Sequence, residues 1–458
     1  MRVYTTRENK RAKGSSYTVR WKVGTEVFSK TFKTSASADG HRSKLVTAQK
    51  NGDAFSVTTG LPASMETAGE EKSWYAFAVE YVDWKWPRVG GNSRKSLAKA
   101  MTAGTVAMLR RPAPSEFDPV KVRTALREWA FNSKRRAEQP LPAEVKVILD
   151  WVGRNTRSVA DLDVEEVGGS FVAALGARLN GKPAAASSVR RYRRVMTLAM
   201  ESAIKQGLLR SSPIPKGREE NEVASAPKVA EAIDKRSLLN SSQMARLLEW
   251  IGRRPRMGRC YRAFFATLYY AGLRPEEAVA LLVKDATLPE EGWGELLVWT
   301  AKPEVGSQWT DSGEVHETRG LKGRAEGDTR PVPLHPSLVR ILRDLIEAYG
   351  LEPDDILFQG ERGGMLSGSV YRRVWGKARK EVLTPHEFDS PVGRRVYDTR
   401  HTCLTMWLNN GIPPAQVAAW AGNSVPVLLA IYARCIVGQL ADLQKRIEAV
   451  QALEHVEV

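Results

Sequence analysis

Residues 397–432 have the sequence YDTRHTCLTMWLNNGIPPAQVAAWAGNSVPVLLAIY, and we expect the rest of the chain to be organised around this stretch. Its first part carries apolar residues at helical spacing and ends at Asn410-Gly411, a pair that stops helices. Thr399 or Asp398 is predicted to open this helix. Arg400 is therefore expected in a first helical turn.

Two shorter helices are predicted in the second part of the stretch. Pro413-Pro414 favours a helix start, and Gly422 favours the end of that helix. The apolar run from Val427 to Ile431 then delivers Tyr432 on a third helix. The whole stretch predicts a compact helical scaffold with one polar corner, to which it brings an arginine and a tyrosine.

The chain has 458 residues, which is too long for one ordinary hydrophobic core, so two or three domains are expected. With 42% hydrophobic and 26% charged residues, the composition is that of a globular protein. The formal net charge of +17 favours a polyanionic partner. Nucleic acid fits better than a membrane, because no apolar run reaches the roughly 20 residues that a span needs.

The start of the chain lacks the apolar segment of a signal peptide. The chain has three cysteines, Cys260, Cys403 and Cys435, and their spacing is typical of neither a disulfide framework nor a metal site. A reducing cytoplasm, with the protein associated with the nucleoid, is the predicted location. No metal or other cofactor is predicted.

Residues 1–62 are predicted to form a small basic module. Alternating residues at 17–23 and 27–32, joined at Gly24-Thr25, indicate a β-hairpin, and a helix is expected from Ser37. The first 50 residues hold twelve Lys and Arg against three Asp and Glu, which favours contact with phosphates, although a solvated basic tail is the alternative. The hairpin residues predicted to contact DNA are Arg20 and Lys22.

Residues 73–213 are predicted to form a helical domain, preceded by a linker at 63–72 and followed by another at 214–236. Helical patterns occur at 94–110, 119–132, 142–153, 163–180 and 187–206. The last has Ser187 as its expected cap and a cluster of basic residues in its opening turns: Arg190, Arg191, Arg193 and Arg194. A basic helix on a bundle favours a DNA clamp over the usual solvated face.

Residues 237–458 are predicted to form a third domain, of mixed α and β structure. Helices at 241–253 and 259–271 lead to the segment Gly272-Leu273-Arg274-Pro275-Glu276-Glu277, where a glycine ends one helix and a proline starts the next. Further predicted elements are strands at 295–300 and 329–334 and helices at 336–349 and 367–382.

The segment 272–277 resembles the first conserved box of the tyrosine recombinases, the phage-integrase family. Arg400-His401-Thr402, together with the run that ends at Tyr432, resembles the second box. The resemblance covers 237–440, and the helical domain is similar to the family's core-binding domain. Residues 1–62 resemble the arm-DNA-binding module of integrases from mobile elements, particularly those of actinobacterial type.

The resemblance implies a multidomain, mainly α protein that integrates a mobile element through a 3′-phosphotyrosine intermediate. The positions that it implies for catalysis are Arg274, Lys322, Tyr397, Arg400, Asn423 and Tyr432, with Glu277 and His401 in support. Glu277 could also be an ordinary helix-start acid, and His401 a structural neighbour of Arg400. Lys302, directly after a predicted strand, is the alternative general acid to Lys322.

Two positions depart from the family's pattern. Tyr397 stands where the family usually has a histidine, and Asn423 stands where a histidine or tryptophan is expected. Both side chains retain hydrogen-bonding groups, but neither can perform histidine acid–base chemistry.

Attack on a DNA phosphodiester explains why arginines, a tyrosine and a proton donor are needed together. It needs a nucleophile, charge relief on two non-bridging oxygens and a proton for the departing 5′ oxygen. Arginine suits the oxygens because its rigid fork stays charged. A tyrosine has a free pKa of about 10, so the same cations must help it to lose its proton. The phosphotyrosyl link stores the energy of the broken bond, and religation then needs neither ATP nor metal.

The last segment of the chain is predicted to be an amphipathic helix. Its apolar residues recur at steps of three and four: Ile436, Leu440, Leu443, Ile447 and Val450. In the family such a tail docks on a neighbour, which implies a homotetramer on double-stranded DNA at attachment sites, with an excisionase and a host DNA-bending factor as further partners. A type IB topoisomerase or a non-catalytic DNA-binding regulator is the alternative function.

Overall fold

The computed structural model describes residues 1–11, 14–57, 59–62, 72–176, 183–215, 233–321, 327–432, 435, 444–445 and 447–449. Lys322, most of both predicted linkers and most of the predicted C-terminal helix lie outside these ranges. The chain divides into two compact units, one comprising Met1–Val89 and Ser93–Pro215, the other Gly90–Asn92 and Lys216–Val458.

The first unit begins with a four-stranded antiparallel sheet and a helix. Their bounds are β1 Arg2–Val3, β2 Arg7–Arg11, β3 Gly14–Val23, β4 Glu26–Phe32 and α1 Ser35–Lys50. Strand β3 is central: β4 pairs along one of its edges, and β1 and β2 pair one after the other along the other edge. The predicted hairpin is confirmed as β3 and β4, whereas β1 and β2 were not predicted.

The two faces of β3 differ because side chains alternate along a strand. Val19, Trp21 and Val23 are buried in a cluster with Ala38 and Leu45 of α1. Arg20 and Lys22 therefore lie on the opposite face of the sheet from the helix. Thr34 caps α1, since its hydroxyl accepts the Ser37 amide hydrogen at 3.3 Å, and the helix starts two residues before the predicted position.

Seven α-helices follow in the described part of the first unit, together with short 3₁₀ and π-helical segments. The α-helices are α2 Trp74–Lys85, α3 Gly91–Ala107, α4 Pro119–Ala125, α5 Ser133–Glu138, α6 Ala143–Asn155, α7 Glu165–Leu175 and α8 Ala186–Lys205. The first two residues of α3 are assigned to the second unit. The core-facing side of α8 is buried as its pattern predicts, through Met196, Ala199, Met200 and Ala203. The prediction that Ser187 caps α8 is wrong: the cap position is Ala185, which offers no side-chain acceptor.

The second unit combines short strands with nine helices in its described part. The helices are α9 Ser241–Gly252, α10 Gly258–Tyr270, α11 Pro275–Ala278, α12 Pro336–Tyr349, α13 Gly368–Val382, α14 Pro385–Asp389, α15 Tyr397–Asn409, α16 Pro414–Ala421 and α17 Val425–Tyr432. The strands are β5 Ala286–Thr287, β6 Gly294–Val298, β7 Thr300–Ala301, β8 Arg319–Gly320 and β9 Arg330–Leu334. Strands β5, β6 and β9 form one antiparallel sheet, and β7 pairs with β8.

Helix α10 is the centre of the second unit's core. Phe264 and Phe265 are fully buried in it, and the helix packs against α9, α12 and α15. It ends at Gly272, whose positive φ of 61° is a conformation that glycine adopts without strain. A β-carbon there would lie 3.2 Å from the sulfur of Cys403 and 3.1 Å from Leu404, so the absence of a side chain lets α15 approach this turn.

The three helices predicted in the stretch 397–432 are confirmed as α15, α16 and α17. Helix α15 starts at Tyr397 after Val396, so the predicted opening at Asp398 or Thr399 is slightly wrong, but Arg400 is still in its first turn. In the part of the chain that the structure describes, no single helix is long and apolar enough to cross a membrane. The bent pair α16 and α17 meets that criterion together, by length and composition only.

Candidate active site

Arg274 occupies the turn between α10 and α11, and its position is fixed from both sides. Its backbone N–H donates to Oε2 of Glu277 at 2.9 Å, which caps the first turn of α11. Its guanidinium donates to Oε1 of the same carboxylate at 2.7 Å. The side chain keeps 17% of its surface exposed, so it remains accessible to a ligand.

Glu277 is the buried anion that three arginines share. Its side chain is 3% exposed, and Arg330 binds it through two hydrogen bonds of 2.7 and 3.1 Å. Arg400 places Nη1 3.9 Å from Oε2. Burial alone would raise the pKa of Glu277, but Arg330, followed by Arg400 and Arg274, outweighs burial and lowers this pKa to about 2. Glu277 is therefore ionised, and one negative charge holds three positive ones.

Arg330 was not among the predicted site residues. It is 1% exposed at the start of β9, in register with Val298 of β6. A sequence signal for it exists, because Arg330, Val332 and Leu334 alternate along the strand and all three are buried. An arginine at an inward position of a strand needs a buried anion, and Glu277 provides it.

Gly422, at the end of α16, fits against two of the arginines. Its φ of 62° is in the left-handed region, as the sequence predicted for a helix-ending glycine. Its carbonyl accepts a hydrogen bond from Nη2 of Arg274 at 3.0 Å. A β-carbon at this position would overlap the guanidinium of Arg330, so glycine is required here by space as well as by conformation.

Arg400 is held by backbone carbonyls at the ends of two helices. Its Nη2 donates to the Ala421 carbonyl at 2.7 Å, and its Nη1 donates to the carbonyl of Gly272. The side chain is 1% exposed. Because helix C-termini carry partial negative charge, these contacts suit a guanidinium and fix its orientation before any ligand binds.

Asn423 follows Gly422 and contacts Arg274 directly. Its Oδ1 accepts a hydrogen bond from Nη2 of Arg274 at 2.7 Å. The side chain therefore acts here as an acceptor that orients an arginine.

Tyr432 and His401 form a hydrogen-bonded pair between α17 and α15. The Tyr432 hydroxyl lies 2.9 Å from Nδ1 of His401, and the tyrosine is 1% exposed. Burial raises the pKa of Tyr432 above its usual value, and the charge of Arg400 opposes part of this rise. Burial, with smaller contributions from Arg395 and Arg400, lowers the pKa of His401 to about 4. The imidazole is thus neutral at neutral pH.

Tyr397 lies beside this pair. Its ring meets the His401 ring edge-on with 4.9 Å between centroids, and the guanidinium carbon of Arg400 lies 6.0 Å from the centre of the same ring. Tyr397 therefore packs against both the histidine and one of the arginines.

The structure brings together seven of the eight residues that the family resemblance implies: Arg274, Glu277, Tyr397, Arg400, His401, Asn423 and Tyr432. The eighth, Lys322, lies outside the described residues. Lys302 directly follows β7, and its backbone N–H donates to the Glu276 carbonyl at 2.8 Å, which ties this strand end to α11. Across the described residues, no group of three or more His, Cys, Asp and Glu is placed to hold a metal ion.

The DNA contacts predicted in the first unit lie on β3 and α8: Arg20, Arg190, Arg191 and Arg194 are exposed, and Lys22 is partly buried. Arg193, also on α8, is partly buried. The cluster in the second unit consists of cations around a buried carboxylate with a tyrosine beside them. Such an arrangement can bind a phosphate group and present a hydroxyl to it.

Substitution of Glu277 by Gln is expected to destabilise the second unit by about 3–5 kcal/mol, because it leaves buried arginines without their anion. The folded-state pKa of about 2 lies below the ordinary 4.5, so Glu277 stabilises the fold above pH 4.5 and this stabilisation is lost as the pH falls towards 2. Urea unfolding between pH 7 and pH 3 measures both effects. The Gln variant should show a weaker loss of stability on acidification than the parent, and equal stability of the two proteins at pH 7 would contradict the assignment.

Comparisons with known proteins give structural matches only. No family model matches the chain, and no curated protein matches it. The Tn1549 transposon integrase in complex with a circular intermediate DNA has a TM-score of 0.49 and 16% identity, over 69% of this chain and 96% of that one. The XerH recombinase bound to its difH substrate has a TM-score of 0.48 and 14% identity, over 82% of this chain and 96% of that one. A lambda integrase dimer bound to a core site has a TM-score of 0.42 and 13% identity, over 91% of each chain. Each of these three solved structures is an integrase or a site-specific recombinase bound to DNA.

Proposed function

We propose that this protein is a site-specific tyrosine recombinase that cleaves and rejoins DNA strands and integrates a mobile element. The observation that carries the proposal is the position of Tyr432. Its buried hydroxyl is hydrogen-bonded to His401, beside the cluster of arginines around Glu277. The positive charges of Arg274 and Arg400 both favour ionisation of the Tyr432 hydroxyl. A tyrosine that only fills a hydrophobic core has no use for such neighbours.

The proposed reaction uses Tyr432 as the nucleophile. Its oxygen forms a bond to the scissile phosphorus while the bond from phosphorus to the 5′ oxygen breaks, leaving a 3′-phosphotyrosyl link and a free 5′ hydroxyl. Arg274 and Arg400 stabilise the charge on the non-bridging oxygens. Attack by the 5′ hydroxyl of another strand reverses the step and joins the two DNAs, and the stored bond makes ATP unnecessary.

The two departures from the family's pattern take different roles in this proposal. Tyr397 can donate its hydroxyl hydrogen to a phosphate oxygen, as the usual histidine would. Asn423 acts through Arg274, which it orients by the 2.7 Å hydrogen bond. Asn423 is therefore a positioning residue in this scheme.

We assign the DNA contacts to three parts of the chain: residues 1–62 to arm-type DNA, 73–213 to core-site DNA and 237–458 to cleavage. On the face of the N-terminal sheet that is turned away from α1, Arg2 of β1 lies directly opposite Lys22 of β3. Arg20 lies two residues before Lys22 on the same strand and so shares this face. Directly opposed residues share a face, so these cations form one basic surface on the side away from α1. The exposed arginines at the start of α8 support a second contact, in the core-binding region.

Tyr432→Phe is expected to bind attachment-site DNA as the parent does but to form no covalent adduct with a suicide substrate nicked near the cleavage point. Arg274→Ala and Arg400→Ala should each lower cleavage on the order of 10²-fold or more, as removal of one oxyanion donor does. Gel electrophoresis of the denatured adduct measures both effects.

Tyr349→Phe, which alters an exposed tyrosine on α12, is the matched control and should form the adduct normally. An adduct with the Tyr432 variant would place the nucleophile elsewhere. Relaxation of a supercoiled plasmid that lacks any attachment site would instead indicate a type IB topoisomerase.

The double variant Arg20→Ser/Lys22→Ser is expected to bind arm DNA more weakly and with a smaller salt dependence, because each lost phosphate contact lowers the logarithmic salt slope by about 0.9. Titration at several salt concentrations measures the slope, and Lys44→Ser on α1, across the sheet from this face, is the control. An unchanged slope would show that this face of the sheet does not contact arm DNA.

The assembly on DNA is a separate proposal. Light scattering of the complexes of the parent protein gives their stoichiometry, and four protomers on a pair of sites are expected if the C-terminal segment links them. An excisionase and a host DNA-bending factor are further proposed partners.

Lys322 is the proposed general acid, with Lys302 as the alternative. A substrate whose bridging 5′ oxygen is replaced by sulfur separates them, because a thiolate leaves without a proton. Lys322→Ala should cleave ordinary DNA poorly and the sulfur substrate nearly as well as the parent. If Lys302→Ala shows this rescue and Lys322→Ala does not, the lysine at the end of β7 is the acid.

A further inference from the structure

The hydrogen bond between His401 and Tyr432 joins the proposed nucleophile to the side chain that follows an active-site arginine. Nδ1 of His401 lies 2.9 Å from the Tyr432 oxygen. The two residues are 31 positions apart and come from different helices, α15 and α17, which meet here. The tertiary structure therefore brings His401 into contact with the oxygen atom that would react.

The phenol of Tyr432 needs a proton acceptor if it is to attack. Burial makes this hydroxyl harder to ionise than that of a free tyrosine, and the attraction of Arg400 only partly offsets the effect of burial. A protonated phenol is a poor nucleophile, and an adjacent base is the usual means of activating a hydroxyl. Water has little access to a tyrosine that is 1% exposed.

His401 has the properties of such a base. Its imidazole is neutral at neutral pH, because burial and the charges of Arg395 and Arg400 disfavour the protonated ring. A neutral imidazole with hydrogen on Nε2 presents Nδ1 as an acceptor. The ring is held in place by the edge-on contact with Tyr397, at 4.9 Å between centroids.

The groups that act most strongly on the charges of the pair come from two parts of the second unit. Those on or just before α15 are Arg395, Tyr397, Arg400 and Cys403, and Arg274 acts from the turn before α11. The group that is hydrogen-bonded to the phenol is the imidazole of His401.

We propose that His401 is the catalytic proton acceptor for Tyr432, an inference that rests on the proposed function. As the bond from the tyrosine oxygen to phosphorus forms and the bond to the 5′ oxygen breaks, the phenolic proton moves to Nδ1 of His401. The 5′ oxygen receives its proton from a separate acid, for which Lys322 is proposed. On religation the incoming 5′ hydroxyl returns its proton to that acid, and the imidazolium returns its proton to the released tyrosine.

The test compares two variants, His401→Ala and His401→Asn, in single-turnover cleavage of a suicide substrate. Asn retains a hydrogen-bonding atom near the position of Nδ1 but has no basicity. Loss of a general base typically lowers a rate 10²- to 10⁴-fold, so both variants should fall by about 10²-fold or more at pH 7. Their rates should then rise about tenfold per pH unit towards pH 9, as hydroxide replaces the base, while the parent's rate stays nearly flat.

A second measurement changes the nucleophile instead of the base. Replacement of Tyr432 by a difluorotyrosine, whose phenol is more acidic, should restore most of the lost rate in His401→Asn and change the parent little. This pattern distinguishes proton acceptance from mere orientation of the phenol. His386→Asn, at an exposed histidine on α14, is the control and should cleave as the parent does.

The proposal is overturned if His401→Asn cleaves at the parent's rate, which would indicate a role in orientation alone. It is also overturned if the loss is the same at every pH and the fluorinated tyrosine does not restore it. Unchanged DNA binding and thermal unfolding show that the variants are folded; if they are not, the response of the parent to tyrosine fluorination decides, since a strong rate increase would mean that no base assists. Failure of the parent to form any Tyr432-dependent adduct would overturn the proposed function itself.

Discussion

The second unit depends on one buried carboxylate that three guanidiniums share. Glu277 binds Arg274 from its own helix start, Arg330 from β9 and Arg400 from α15. Burial of one anion with three cations leaves an excess of positive charge, which is costly in a protein interior. In the proposed function, the missing negative charge comes from the DNA phosphodiester. The excess positive charge that makes the cluster costly to bury is therefore also the feature that favours binding of an anion.

The arginines are oriented by the protein itself, before any ligand binds. Arg400 donates to the carbonyls of Gly272 and Ala421, and Arg274 donates to the carbonyl of Gly422 and to Asn423. Because these partners are backbone atoms at helix ends, the positions of the guanidiniums follow from the packing of α10, α15 and α16. Preorganised donors of this kind stabilise a transition state without reorganising during the reaction. The two glycines at the helix ends matter because they let these segments approach one another.

The tyrosine and histidine give the site a neutral half beside its charged half. Tyr432 is buried and hydrogen-bonded to a neutral His401, whereas Glu277 and its arginines are fully ionised. Burial acts on both halves but with opposite results. It keeps the phenol and imidazole uncharged, and it strengthens the attraction within the ionised cluster, because neither half is surrounded by water. Burial therefore keeps the Tyr432 phenol protonated while its hydrogen-bond partner, the neutral imidazole of His401, is already in contact with it.

Local patterns in the sequence determined most of the secondary structure. The helix predicted at 336–349 is α12, the turn predicted at Gly24-Thr25 joins β3 to β4, and the strand expected at 329–334 is β9. These elements follow from side-chain periodicity and from the preferences of glycine and proline, which act between near neighbours in the chain. The resemblance of two short boxes to a known family also grouped Arg274, Arg400 and Tyr432, which the structure places near one another.

Only the tertiary structure decided how these residues are connected. The partnership of Glu277 with Arg330 spans 53 residues, that of Arg274 with Asn423 spans 149, and that of His401 with Tyr432 spans 31. No local pattern encodes such pairs, because they depend on which strand and helix ends pack together. The same limit explains the missed strands β1 and β2, which are short and are defined by their pairing with β3. The sequence thus determined the elements and the types of reactive residue, and packing over long sequence distances decided their partners, burial and charge.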